Sequence, residues 1–400
     1  MQNSKSDYPK YRWLVLAIAW LSFFGLAMAW YIMPTLEYQI IEDYNITTSQ
    51  YSRALTLPFL VAGILSIGGG MLADRLGLRK AASLGIIISG IGILVRSSTA
   101  SYHILLIAMF LIGTGMGLIM PNLPKLVSIW FPPGETGLAT GIYNTGLMGG
   151  ISTGLVIAPL LPDWSQGNLM LGGLVIILGI LFFLIVRDSP PGKEIMRTPL
   201  LEGIQTAARS KNSWFAAMAV FFGLSGMVSI QSSLPAALNT VYGIEMEAGG
   251  QVASLITYAG VFGSLTLPAL AERSGKLKKN LILLILGFPI FMYFTWLTGG
   301  QSMIILWVGT IIAGYIAGGS LPIFMSVPVY LPDIESDPVQ AQHVGGASGM
   351  LSSLMNMGGF IGLPFIVTPI IINAGYNAGL LVACLLFATQ AIMAGFIDFN

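Results

Sequence analysis

The chain has 400 residues, 55% of them hydrophobic and 9% charged, with a net charge of +1 and a mean hydropathy of +0.80. Soluble domains carry about a quarter charged residues, so this composition excludes a soluble globular protein and places the chain in a lipid bilayer. No basic stripe supplies phosphate affinity, so no nucleic-acid partner is expected, and the single Cys384 excludes an internal disulfide and a zinc cluster.

The N-terminal residues Met1 to Arg12 are polar. The apolar run after them is too long for a signal-peptide core and lacks a cleavage pattern, so it reads as a retained first helix. Runs of about 18 or more apolar residues give twelve spans, near 12–34, 50–73, 81–97, 102–127, 136–161, 169–187, 212–240, 248–271, 280–298, 301–330, 343–372 and 376–397. Several are longer than a bilayer requires, which predicts tilt. With the N-terminus inside, sixteen of the 18 Lys and Arg residues face the cytoplasm and only Arg53 and Arg96 fall outside. That asymmetry places both termini in the cytoplasm.

Between the second and third spans lies Gly70-Met71-Leu72-Ala73-Asp74-Arg75-Leu76-Gly77-Leu78-Arg79-Lys80, a tight polar turn. It returns about 198 residues later, with Glu272, Arg273 and Gly275 at the positions of the acid, the arginine and the second glycine. Spans four and ten match at an offset of about 201, where Gly113, Gly117 and Pro121 fall on Gly314, Gly318 and Pro322. Spans five and eleven match at about 208, where Gly141 and Gly150 fall on Gly349 and Gly358. Such parallel repeats predict an all-α membrane protein with twelve transmembrane helices in two pseudo-symmetric six-helix bundles. The expected domains are 1–187, a cytoplasmic linker at 188–211, and 212–400. Within the linker, Ser189-Pro190-Pro191-Gly192 cannot continue a helix. Thr198-Pro199, followed by Leu200, Leu201, Ile204 and Ala207, reads either as a capped amphipathic helix at the membrane interface or as an irregular connection.

No P-loop or nucleophilic constellation is present, so the sequence predicts no enzyme, metal or cofactor. His103 and His343 read as solvated interface residues. A charge at mid-membrane costs about 2.5–3.5 kcal/mol and is kept for function, yet the charged residues here lie in loops or near span ends. The expected cavity is therefore neutral and polar. Glu37, near the outer end of span one, comes closest to an embedded acid and reads as a solvated mouth residue. The candidate solute-binding residues are Trp30, Tyr31, Tyr143, Asn144, Gln231, Tyr258, Tyr315, Ser320, Ser352 and Asn356. Each taken singly is also explained by an interhelical hydrogen bond or by packing.

The turn from Gly70 to Lys80 resembles the G-x-L-A-D-R-x-G-x-R/K signature of the major facilitator superfamily. Its second copy departs from that pattern at Pro268, Glu272 and Leu277. The resemblance implies a monomeric secondary transporter in a prokaryotic inner membrane, moving a small solute by rocker-switch alternating access. It implies that spans one, four, seven and ten line the cavity and that five, eight and eleven flank it. It also implies a cytoplasmic gate at Gly70, Asp74, Arg75, Gly77, Arg79 and Lys80, with Glu272 and Arg273 as the second copy. Pro121-Asn122-Leu123-Pro124-Lys125 through Trp130-Phe131-Pro132-Pro133, with Gly137 to Gly150, looks like the cyanate-porter group. Asn144-Thr145-Gly146 and Asn356-Met357-Gly358 resemble elements of nitrate and nitrite porters. Those carriers rely on buried arginines, whereas Arg53 and Arg96 stand near the outer span ends, so a small organic solute is the expected cargo. A small anion drawn in by Arg53 or Arg96 is the alternative, and a non-transporting membrane sensor is the alternative of another class.

Overall fold

The computed structural model describes residues 9–98, 101–132, 135–190, 200–273, 276–334, 336–340 and 343–397. In chain order the helices are α1 (Tyr11–Trp30), α2 (Glu37–Tyr44), α3 (Thr48–Leu76), α4 (Leu78–Arg96), α5 (Tyr102–Ile119), α6 (Asn122–Trp130), α7 (Thr136–Ile157) and α8 (Trp164–Ile185). After a short α9 (Leu200–Ala207) come α10 (Lys211–Tyr242), α11 (Met246–Arg273), α12 (Leu277–Gly299), α13 (Met303–Gly318), α14 (Ser320–Tyr330), α15 (Val344–Ile361) and α16 (Thr368–Gly395). Among the described residues nine helical segments are long and apolar enough to cross a membrane. The fold is thus an all-helical membrane fold.

Local chemistry sets the helix ends. Pro34, which lacks an N–H, interrupts the first long helix with a 3-10 turn at Pro34–Leu36, and α2 stops at Asn45, whose φ of 47° is left-handed. Asp163 caps α8 by accepting from Gln166 N at 2.7 Å, and Ser210 caps α10 by accepting from Ser213 N at 3.0 Å. Past α10, Gly243 at φ 67° lets its own N–H reach Asn239 O, the usual way a helix closes on glycine. Between α15 and α16 a π-helical turn, Gly362–Val367, contains Pro364. Helix α16 is kinked at Gly375, whose φ of 81° and ψ of 172° are not helical.

Several spans differ from their sequence limits. The runs near 102–127 and 301–330 are each two helices, broken at Met120–Pro121 and at Gly319. Asn122 explains the first break: its side-chain amide donates to Leu118 O at 2.6 Å and to Gly69 O at 3.3 Å, taking up carbonyls near the freed turn. The amphipathic stretch after Pro199 is helical, as α9.

The chain divides into two compact units, Met1–Ile32 with Ile64–Arg197 and Met33–Gly63 with Thr198–Asn400. In the first, α4 packs on α5 and α8, and α1 on α7. The α1–α7 seam is a backbone contact, because a side chain at Gly150 would stand 2.3 Å from Phe24 O. In the second unit, α10 packs on α15 and α16, and α11 on α13. There a side chain at Gly318 would meet Gly260 O at 2.0 Å. Lipid offers no hydrophobic drive between helices, so such close approach supplies the attraction.

Candidate functional site

The polar turn of the first unit is organised by a residue outside the sequence motif. Gly77 has φ 91° and ψ 148°, a conformation nearly restricted to glycine, and α4 starts immediately after it. The exposed backbone N–H of Arg79 donates to Asp188 Oδ1 at 2.7 Å, so a carboxylate from beyond α8 caps α4 across 109 residues of sequence. A side chain at Gly77 would stand 2.9 Å from Asp188 Oδ2. The Arg79 guanidinium lies over the Phe183 ring at 4.5 Å. Lys125 Nζ reaches Gly70 O at 3.4 Å, and Arg75, Lys80 and Arg273 are exposed. The side chains of Asp74 and Glu272 lie outside what the structure describes. Asp188 was legible only as the first acid after an apolar run; nothing in its neighbours points to a turn so far upstream.

The candidate solute residues separate by unit. In the first, Trp30 and Tyr31 are fully buried at the end of α1 and meet edge to face at 5.2 Å. Tyr143 is buried on α7 and its side chain hydrogen-bonds to that of Asn144, which is half-buried. One residue on, Thr145 Oγ1 accepts from Trp20 Nε1 at 2.8 Å, tying α7 to α1.

In the second unit Gln231 is buried, and its side-chain amide donates to Thr257 Oγ1. Tyr258 and Tyr315 share a groove of about 410 Å³ between α11 and α13, otherwise lined by Leu255, Ala259, Phe262, Ile311 and Ile312. The Tyr315 hydroxyl pairs with Thr266 Oγ1 at 2.8 Å. This groove offers apolar contact and two phenols, of which that of Tyr315 is already engaged. Ser320 is buried and donates to Ala317 O at 3.1 Å. Asn356 donates to Ser352 O at 2.8 Å, and its buried Oδ1 accepts no hydrogen bond among the described residues. Ser352 is half-buried. The structure thus brings together Tyr143 with Asn144, Tyr258 with Tyr315, Ser352 with Asn356, and Trp30 with Tyr31, while Gln231 and Ser320 donate to Thr257 Oγ1 and Ala317 O.

Three charged groups differ from their sequence reading. Arg96 does not stand at a solvated mouth: it is fully buried, with Nε donating to Asn168 Oδ1 at 2.8 Å and Nη2 to Ala29 O at 2.6 Å, and its guanidinium covers the Trp164 ring at 4.9 Å. Hydropathy could not reveal this, because an arginine ending a helix looks the same whether it turns outward or inward. His343 is buried rather than solvated, with Nε2 4.0 Å from Glu202 Oε1 of α9. Glu37 is 5% exposed, so it too is no solvated residue. Arg53 remains exposed, its guanidinium 5.6 Å from the Phe365 ring.

Nine helical segments long and apolar enough to cross a membrane, among the described residues, make this an integral membrane protein. The chain belongs to the major facilitator superfamily, whose family model matches residues 15–363. It is 26% identical over 292 residues to the cyanate transport protein CynX of Escherichia coli, covering 71% of this chain and 73% of that one. It is 25% identical to the probable nitrate transporter NarT of Staphylococcus carnosus, covering 95% and 94% of the two chains. Among solved structures it resembles a bacterial homologue of the human lysosomal transporter Spinster, with a TM-score of 0.71 at 18% identity over 97% of this chain and 95% of that one. That last likeness speaks to the fold alone.

Proposed function

We propose that the chain carries a small monovalent anion of the cyanate or nitrate kind. The observation that supports this reading is its relationship to cyanate and nitrate porters over 71% and 95% of its length. With Arg96 held by Asn168 and Ala29, the anion is held by neutral donors such as Asn144, and Arg53 is the exposed guanidinium left to attract it. A second reading, a neutral or weakly charged organic solute, is favoured by the apolar groove that Tyr258 and Tyr315 share.

Counterflow in proteoliposomes separates the two. Preloaded nitrate or cyanate should drive uptake of its labelled form through the purified protein, whereas urea should not. Exchange of urea with no exchange of either anion overturns the anion reading.

The same reading includes twelve spans in two six-helix bundles, 1–187 and 212–400, joined by 188–211. Beyond the nine apolar segments, α3 with 29 residues and α7 with 22 are long enough to span, and the kink at Gly375 divides a segment of 52 residues in two. Glycine, threonine and asparagine keep α7 from reading as strongly apolar. The termini lie in the cytoplasm of a prokaryotic cell, the protein works as a monomer in its inner membrane, and the turn from Gly70 to Lys80 acts as the cytoplasmic gate of a rocker-switch cycle.

A further inference from the structure

Glu37 opens α2 directly after the 3-10 turn, and among the described residues it is the one carboxylate buried to 5% exposure. It lines a cavity about the size of one water molecule. Around it α3 supplies Tyr51 and Ser52, α10 supplies Ser232 and Ser233, and α16 supplies Thr368 and Tyr376. The π-helical turn contributes Leu363, and no basic side chain reaches the lining. Next to Glu37, Tyr38 pairs its hydroxyl with Thr240 Oγ1 at 2.6 Å and hydrogen-bonds Tyr376 of the lining, and Arg53 is turned to the Phe365 ring.

The hydrogen bonds of this lining show what the cavity lacks. Ser52 Oγ donates to Thr48 O at 2.8 Å and pairs with Thr368 Oγ1 at 2.9 Å, while Ser233 Oγ donates to Ser229 O at 2.5 Å. With those hydroxyl protons committed to backbone carbonyls, the oxygens offer lone pairs to the cavity. An ionised carboxylate buried here meets no basic side chain in the lining, whereas a protonated carboxyl has no charge to bury and brings an O–H to those lone pairs.

We propose that Glu37 is the proton-carrying residue of this transporter, binding one proton inside the hydroxyl-lined cavity and releasing it when the cavity opens. The lining draws on α2, α3, α10 and α16, and in the transport cycle water reaches Glu37 when this cavity opens. The proton then passes to water, the carboxyl O–H bond breaks and the carboxylate is solvated; on reclosure a proton from water restores it. No other bond changes. The inference rests on the chain cycling as a transporter, but not on which solute it carries.

Two measurements test it. Infrared spectra of the purified protein in liposomes at neutral pH should contain the carbonyl stretch of a protonated carboxylic acid. Glu37→Gln should remove that band and Glu37→Asp should retain one. This readout involves no solute, so it stands or falls separately from the anion reading. In transport, a pH gradient should drive the solute that counterflow identifies to about tenfold accumulation per pH unit for one proton. Glu37→Gln should abolish the accumulation while label still exchanges. Absence of the band in wild type, accumulation that survives Glu37→Gln, or accumulation that follows a sodium gradient instead would each overturn the proposal.

Discussion

Arg96 and Asn168 meet through a single charge-assisted hydrogen bond, Nε to Oδ1 at 2.8 Å, with both side chains fully buried. The asparagine is itself fixed, since its Nδ2 donates to Trp164 O at 2.7 Å. A guanidinium so held crosslinks α1, α4 and α8. Arg96→Leu should lower stability by about 1.5–3 kcal/mol, the worth of hydrogen bonds to a charged group. The decline is measured as melting temperature in detergent, and the KM of counterflow should not move. A raised KM with an unchanged melting temperature would return Arg96 to solute binding.

The Asp188 cap makes a second prediction. Asp188→Ala removes the acceptor for Arg79 N and should cost about 1 kcal/mol. Gly77→Ala must hold φ near 91° and admit a methyl 2.9 Å from Asp188 Oδ2, so it should cost about 1–3 kcal/mol. Thermal unfolding of the two single variants and the double variant checks this: with the carboxylate gone, part of the Gly77→Ala cost should vanish.

Asp74→Asn addresses the gate. It should slow transport while leaving membrane insertion and melting temperature as in wild type. Wild-type uptake at matched expression would show that the acid of the turn has no part in gating.

The docking of α9 is open to a simple probe. A side chain at Gly346 would lie 2.2 Å from Gly203 C and 2.4 Å from Ile204 N, so Gly346→Leu should push α9 off α15 and separate Glu202 from His343. Trypsin should then cut at exposed Arg209 several-fold faster than in wild type. An unchanged cutting rate would mean that α9 stays docked without the glycine contact.

The membrane class was plain in the sequence because hydropathy is a property of each residue summed along a run. The polar turn was plain too, since a glycine and four charges between apolar runs admit few other structures. What escaped depends on distant partners. Arg96 is buried because Asn168 and Ala29 O come to it, and Glu37 because α3, α10 and α16 close around it. Asp188 caps a helix that starts 109 residues before it. The candidate phenols and amides were chosen for polarity at mid-span, and polarity does not show that Ser320 and Gln231 donate to Ala317 O and Thr257 Oγ1.

The wide turn at Gly362–Val367 sets the rotational phase of everything that follows it. Each residue advances an α-helix by about 100°, and a π turn holds one more residue than the α geometry would. Thr368, the first residue after that turn, faces Ser52 in this phase. Shortening the turn by one would swing Thr368 about a quarter-turn away from Ser52. The lining around Glu37 is thus written partly as a count of residues, and a deletion far gentler in chemistry than any charge change would take it apart.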